Sequence, residues 1–437
     1  MNVRHLNERL LAGGEVPLSW FPHLEHLANQ SVAFEIDFGL PVLPDEPGVL
    51  SIRGPRQYGK STWLEQQLRD SALRGGPGSA FYLNGDHIAD AADLVVELET
   101  LDAMFRRDAP HRRLFVDEIT AVDGWEKALK RVLDGGRLRN VLVVTTGSRA
   151  RDLRRGVERL PGRKGKLSRT SYLFVPLSLR AFAAKAEDRF GDDLVVAYLL
   201  SGGCPAAASE LIQRGRLPEY VVEMVRDWIF GECAASGRDR GSLLAVWEAL
   251  LRRGGSPIGQ ANLARDAGLA NNTVAQGYIE LLADLLCVGT AFAWDENRGI
   301  AVRRRPAKFP PTNLLAAVAF DQAGLRTVAD FRALPESVQG RWFEWLLAQE
   351  IWRRRALRGE PTPEQLAYWQ GGDHELDYVA RPDLVFESKR GGSSALEFAW
   401  FARTFPKAEL WIVGRDRFDG ARIRGRTFAD VLLDESW

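Results

Sequence analysis

The 437-residue chain is short of cysteine, lysine, net charge and long apolar runs, and each shortage removes a class of answer. Its three cysteines, Cys204, Cys233 and Cys287, stand far apart with no CxxC spacing, which excludes a disulfide framework and a cysteine zinc site. No apolar run approaches the roughly 18 residues of a membrane-spanning helix. The opening stretch MNVRHLNERLLAGGEVPLSW has neither the apolar core nor the cleavage site of a secretion signal, so a cytoplasmic protein without a membrane partner is expected. Lys plus Arg and Asp plus Glu balance at 58 each, so nucleic-acid binding would have to come from local basic patches rather than a global field. Only nine of those 58 basic residues are lysine. Where charge alone is wanted arginine serves, and a lysine marks a place that needs a compact ammonium on a flexible stem. Lys60 and Lys389 both fall inside the motifs below.

The length allows two to four domains, and the pattern suggests three. From Val49 to about Leu200, short apolar runs alternate with longer mixed segments, as strands alternate with helices in a parallel α/β sheet. VLSIRG, AFYLNGD, RLFVDE and NVLVVTTGS are the expected central strands, continuous in apolar character because both faces would be covered. From about Gly202 the pattern turns helical. Within it, Gln260–Ala267, a turn at Gly268–Ala270, a helix capped by Asn271 and a wing strand over Leu286–Ala293 read as a winged helix. RRRPAKFPPTN is the expected linker, since its prolines break both regular structures. The expected domains are therefore residues 1–200, 201–302, a linker over 303–340, and a last α/β domain over 341–437.

Residues 54–61 read GPRQYGKS, the P-loop pattern GxxxxGK[ST], between an apolar run and a helical-looking segment. Strand, loop and helix in that order aim backbone N–H groups and the positive end of the helix at phosphates. Gly54, Pro55, Arg56, Gln57, Tyr58, Gly59, Lys60, Ser61 and Thr62 are the expected ATP-binding residues. Lys60 would reach the β- and γ-phosphates and Ser61 would hold Mg2+. LFVDE then places Asp117 and Glu118 at the end of a buried strand, Asp117 to hold Mg2+ through water and Glu118 to polarise the attacking water. Thr145, Thr146 and Ser148 follow the next strand as candidate sensors of the γ-phosphate. The basic stretch Arg149–Arg169 has three readings: a solvated loop, a nucleic-acid contact, or the source of an arginine finger from a neighbouring subunit, with Arg163 the candidate.

The order GPRQYGKS, LFVDEITAVDGWEKALKRVLD, VVTTGSRARDL, LPGR, VPLSLRAF and LSGGCP resembles a widespread prokaryotic group of AAA-type P-loop ATPases. The resemblance spans most of the chain and implies an ATPase domain, a winged helix and a restriction-endonuclease-like C-terminal domain in that order. One departure is visible: where members of the group carry an Asp soon after a Lys and an aromatic residue, this chain has Lys308-Phe309, two prolines and Asn313.

Independently of that likeness, HELDYVARPDLVFESK puts Asp377 on one strand and Glu387-x-Lys389 on the next, joined by a tight hairpin. An Asp and a Glu on paired strands can share Mg2+, and a lysine two residues after the Glu lies on the same face. This is the D…ExK pattern of PD-(D/E)xK nucleases, with Glu344 on the preceding aromatic-rich helix as an additional carboxylate. The alternative is a solvated hairpin. Two functions follow: an ATP-driven protein with a Mg2+-dependent nuclease acting on DNA, or a regulatory ATP switch whose nuclease-like domain only binds nucleic acid or a protein partner. A homo-oligomer is compatible with either.

Overall fold

The computed structural model describes residues 2–147 and 166–437. The chain divides into two compact units, Met1–Val175 with Leu357–Gly359, and Pro176–Ala356 with Glu360–Trp437.

The first unit is built on five strands, β1 (Gly48–Arg53), β2 (Ala80–Asn84), β3 (Arg113–Asp117), β4 (Leu142–Gly147) and β5 (Ser171–Leu173), in the order β2-β3-β4-β1-β5. Every neighbouring pair is parallel. Leu50, Ile52, Leu114, Phe115, Val116, Val143 and Val144 have no accessible surface, which is why these runs are continuously apolar. The chain leaves β1 for the far edge at β2 and returns through β3 and β4, so the strand order reverses beside β1. In an open α/β sheet that reversal leaves a crevice at the carboxyl ends of the strands. The edge strand β2 is covered by the N-terminal helix Val3–Ala12, whose Asn7 amide donates to the Tyr82 carbonyl and accepts from the Tyr82 N–H (2.7 and 2.9 Å). One side chain thereby satisfies the backbone groups that an open edge would offer to another strand.

The second unit begins with the helices Leu179–Phe190 and Leu194–Ser201, so residues 176–200 fold with it rather than with the parallel sheet. Four further helices, Glu219–Ala235, Arg240–Arg253, Gln260–Asp266 and Asn272–Asp284, share one apolar core around Trp247, Leu243, Leu263 and Leu282. The last two are joined by a short turn, and Asn271 caps the second by accepting from the Val274 N–H (3.0 Å). A hairpin of β6 (Thr290–Asp295) and β7 (Ile300–Val302) follows.

Residues 303–340, expected as a linker, are a folded part of this unit. Lys308, Thr312 and Asn313 are buried, Lys308 exchanges both backbone hydrogen bonds with Ala291, and the helix Leu314–Phe320 is buried at every position. The prolines break regular structure there as expected, but irregular chain packed under its neighbours is not a spacer.

The helix Glu336–Leu357 buries fourteen of its 22 residues, hence its aromatic and apolar side chains on all faces. β6 continues into the C-terminal part by pairing in parallel with β8 (Gln365–Gly371), which pairs with β9 (His374–Leu376). A second sheet runs β10 (Tyr378–Arg381), β11 (Leu384–Ser388), β12 (Glu409–Gly414), β14 (Ile423–Thr427), β13 (Phe418–Asp419). The segment ALEFAWFARTF forms two short helical turns, Ala395–Phe398 and Phe401–Thr404.

Candidate functional site

Two groups of polar residues stand out, one in each unit. In the first, Gly54–Gly59 leave the carboxyl end of β1 and turn into the 16-residue helix Lys60–Gly75. No side chain caps that helix, and its N-cap, Gly59, is left-handed at φ 95°. The amino end of the dipole therefore faces the crevice with its first N–H groups uncovered by a cap, which is the physical requirement for an anion site. Lys60 is buried and donates to the carbonyls of Gly54 and Pro55 (2.9 Å each). Burial lowers its pKa, and the charges of Glu118 and Asp117 oppose that shift. Within the loop Pro55 and Tyr58 are buried, Arg56 and Gln57 are exposed, and Ser61 and Thr62 are half-buried at the helix start.

Asp117, at the end of β3, is held rather than free to rotate. Its Oδ1 accepts from the Thr146 hydroxyl and from the Glu118 N–H (3.2 Å), and the Tyr82 hydroxyl lies 3.5 Å from Oδ2. Thr145 and Thr146 point to opposite faces of β4, and the Thr145 hydroxyl donates to the Leu50 carbonyl (3.1 Å). Of the two described threonine candidates, only Thr146 serves the acidic pair. Glu118 adopts a left-handed backbone, φ 46° and ψ 42°, unusual for a residue with a side chain. Gly85, just past β2, packs directly against this turn: a Cβ there would stand 2.3 Å from the Glu118 carbonyl oxygen. Ser148 and Arg163 lie outside the described residues.

Glu65, on the helix after the loop, is a feature that sequence reasoning missed. It is buried and accepts from the N–H groups of His23 and Leu24 (2.9 and 3.2 Å), fastening the helix Pro22–Ala28 to the loop helix. Burial raises its carboxyl to about 7.

In the second unit, Glu344, Asp377, Glu387 and Lys389 come together as the D…ExK pattern requires. Tyr378 pairs with Phe386 across β10 and β11, which sets Asp377 beside Glu387. Each acid accepts from a backbone N–H of the facing segment: Asp377 N–H donates to Glu387 Oε2 (3.2 Å), and Ser388 N–H donates to Asp377 Oδ2 (2.8 Å). Lys389 Nζ lies 2.8 Å from Glu387 Oε1. Arg381 and Arg390 turn elsewhere, to Asp383 (3.2 Å) and Gln339 (2.6 Å). Burial and the nearby Asp377 charge push the Glu344 and Glu387 carboxyls above the usual range.

Two members of this cluster were not expected. Lys308 Nζ stands 2.6 Å from Glu375 Oε1, 3.3 Å from Glu344 Oε1 and 3.4 Å from Asp377 Oδ1, with 1% of its side chain exposed. Its rarity was a usable signal, because it is one of only nine lysines, yet its distance in sequence hid the partners.

The chemistry of the donors tests whether Mg2+ fits. In the first unit both Asp117 oxygens also face donors, Thr146 and Glu118 at Oδ1 and Tyr82 at Oδ2, so Asp117 would meet an ion brought in with a nucleotide through the ion's water ligands, with Ser61 as the direct ligand. In the second, each oxygen of Asp377 and Glu387 already faces a donor, and among the described residues no group of three or more His, Cys, Asp or Glu is arranged to hold a metal.

A family model described as an AAA domain matches residues 46–183. The first unit thus carries an AAA-type P-loop ATPase domain. No curated protein sequence matches the chain. Among solved structures, it is similar to a Walker-type ATPase of Pyrococcus abyssi, at 14% identity and TM-score 0.41 over 62% of this chain and 90% of that one. It is also similar to the ORC2 protein of Aeropyrum pernix in its ADPNP and ADP complexes, at 12% identity and TM-score 0.36 over 63% of this chain and 87% of that one. Cdc6p of Pyrobaculum aerophilum gives 14% identity and TM-score 0.28, over 64% and 90% of the two chains. Among the described residues no helix is long and apolar enough to cross a membrane.

Proposed function

We propose that this chain hydrolyses ATP in its first unit and uses that turnover to control a PD-(D/E)xK-like C-terminal domain that acts on DNA. The observation that carries the first half is the convergence of Lys60, Asp117 and Glu118 at the carboxyl ends of β1 and β3, with Asp117 fixed by Thr146. MgATP is the substrate. Lys60 neutralises the phosphates, Ser61 and Asp117 hold the ion that arrives with them, and Glu118 orients the water that attacks the γ-phosphorus. The bond to the β–γ bridging oxygen breaks, leaving ADP and phosphate, with the water's proton passing to Glu118 or to the departing phosphate.

For the second half, the meeting of Asp377, Glu387, Lys389 and Glu344 supports a nuclease-like plan. The helices Gln260–Asp266 and Asn272–Asp284 with the β6–β7 hairpin support a winged helix. Asn272 and Thr273 are exposed on it, whereas Gln276 is engaged by Gln260 and Glu280. Arg253 is likewise paired with Asp266, whereas Arg252 and Arg265 are exposed and, among the described residues, bond only to the Asp266 carbonyl and the Asn262 amide, which leaves two cations for phosphates. Lys308 favours the second reading of the C-terminal domain, in which it binds DNA or a partner without cutting, because its ammonium lies against Asp377 and Glu344, two carboxylates of the D…ExK cluster.

The test compares wild type, Lys60→Ala and Lys389→Ala for ATP hydrolysis and for Mg2+-dependent cleavage of linear, circular and single-stranded DNA. Hydrolysis lost in Lys60→Ala alone supports the ATP site. Cleavage lost in Lys389→Ala supports a nuclease, and hydrolysis without cleavage supports the binding reading.

A further inference from the structure

We infer that Lys308 is a built-in cation that takes the place of a divalent metal in the C-terminal site and keeps that site metal-free. This rests on reading the domain as nuclease-like, and it names how that site is controlled. The geometry is that of a cation in an oxygen cage. One ammonium meets Glu344 from the long helix, Glu375 from β9 and Asp377 from between β9 and β10, at 3.3, 2.6 and 3.4 Å. Three carboxylates around a point with 1% exposure would repel one another strongly without a positive charge between them. In PD-(D/E)xK chemistry a magnesium ion would supply that charge. Such an ion needs oxygens at about 2.1 Å in a near-octahedral shell, and it cannot share the cage with an ammonium.

The remaining oxygens are engaged as well. Asp377 Oδ2 accepts from Ser388, Glu387 Oε2 from Asp377, and Glu387 Oε1 pairs with Lys389. An entering ion would have to displace Lys308 and then strip donors from both acids.

The lysine is also tethered. Its backbone is bound on both sides to Ala291 of β6 (2.8 and 2.9 Å), so the ammonium is delivered by the segment that follows the β6–β7 hairpin and not by the nuclease-like sheet itself. A cation attached to the protein is present at a high effective concentration and competes with a dissolved one without being diluted away. Lysine is required here because arginine's planar fork would not fit three carboxylates arranged around a point.

The test measures free Mn2+ by electron paramagnetic resonance as ion is added to the full chain. All variants carry Asp117→Asn, so that the ATP site contributes little. We expect the parent and its Asp377→Asn derivative to take up the same amount. The Lys308→Met derivative should bind at least about tenfold more tightly, and its thermal midpoint, lowered without metal, should recover with Mn2+. Uptake by the parent that disappears in Asp377→Asn would overturn the inference, and so would a folded Lys308→Met derivative that binds no more Mn2+ than the parent. If Lys308→Met does not fold, the comparison of parent and Asp377→Asn decides alone. A parallel DNA gel shift in EDTA separates the two claims: no DNA binding by wild type would end the DNA reading and leave the Mn2+ result standing.

Discussion

Replacing Gly85 by alanine tests whether the hydrolytic acid is positioned by the neighbouring strand or only by its own. An alanine Cβ would stand 2.3 Å from the Glu118 carbonyl oxygen, 2.9 Å from its carbonyl carbon and 3.2 Å from Ile119 Cα. All three are backbone atoms, so no side chain can swing aside to relieve the contact. Cβ atoms essentially never approach closer than 3.0 Å, so one segment must retreat by about 1 Å. Glu118 is the part that yields, because its left-handed backbone already lies in a sparsely populated region and stores about 1–2 kcal/mol. A misplacement of about 1 Å at a reacting centre costs on the order of 100-fold in rate. The loop Gly54–Lys60 is on another strand and does not touch Gly85, so nucleotide affinity should change less than about threefold. The assay is steady-state phosphate release together with binding of a fluorescent nucleotide analogue. A Gly85→Ala protein that unfolds at the wild-type temperature and turns over ATP within about threefold of wild type would refute the positioning argument.

Three other outcomes follow from the same contacts. The Glu65 carboxyl, raised to about 7 by burial, contributes stability that is complete below its ordinary value of 4.5 and lost as pH rises through 7. Glu65→Gln keeps the oxygen that accepts from His23 and Leu24, so urea unfolding should lose that pH slope and the variant should be the more stable protein above about pH 7. Glu350 is buried between Arg353 and Arg354, and Arg354 also donates to carbonyls at Val431 and Asp434 of the C-terminal segment. Glu350→Ala removes the buried carboxylate that the two guanidinium groups share and should cost about 3–5 kcal/mol in chemical denaturation, whereas a loss under about 1 kcal/mol would mean that water replaces the carboxylate. Gly231 lies inside the helix Glu219–Ala235, and an added Cβ there would meet nothing within 4 Å, so Gly231→Ala should stabilise by about 0.5–1 kcal/mol, read as a raised thermal midpoint.

Local pattern reached part of the first unit, and its boundary at Val175 was not in that part. The P-loop, the four central strands and the acid pair after β3 are each legible because strand burial and loop geometry act over a few neighbouring residues. β5 is three residues long, too short to leave a periodic trace. Alternation along β4 already separates Thr145 from Thr146, but which face looks toward Asp117 depends on the neighbouring strand. The D…ExK pair was legible for a similar reason, since a ten-residue hairpin brings Asp377 opposite Glu387. Only the tertiary structure decided which cation meets Asp377 from its other side, together with Glu344 and Glu375. Lys308 lies 69 positions before Asp377, in a stretch whose prolines read as a spacer, and it becomes part of the site when that stretch packs along β6. Composition marked the residue as one of few lysines. No local rule links it to Glu344, Glu375 and Asp377, because the attraction among them acts through space once the chain has folded.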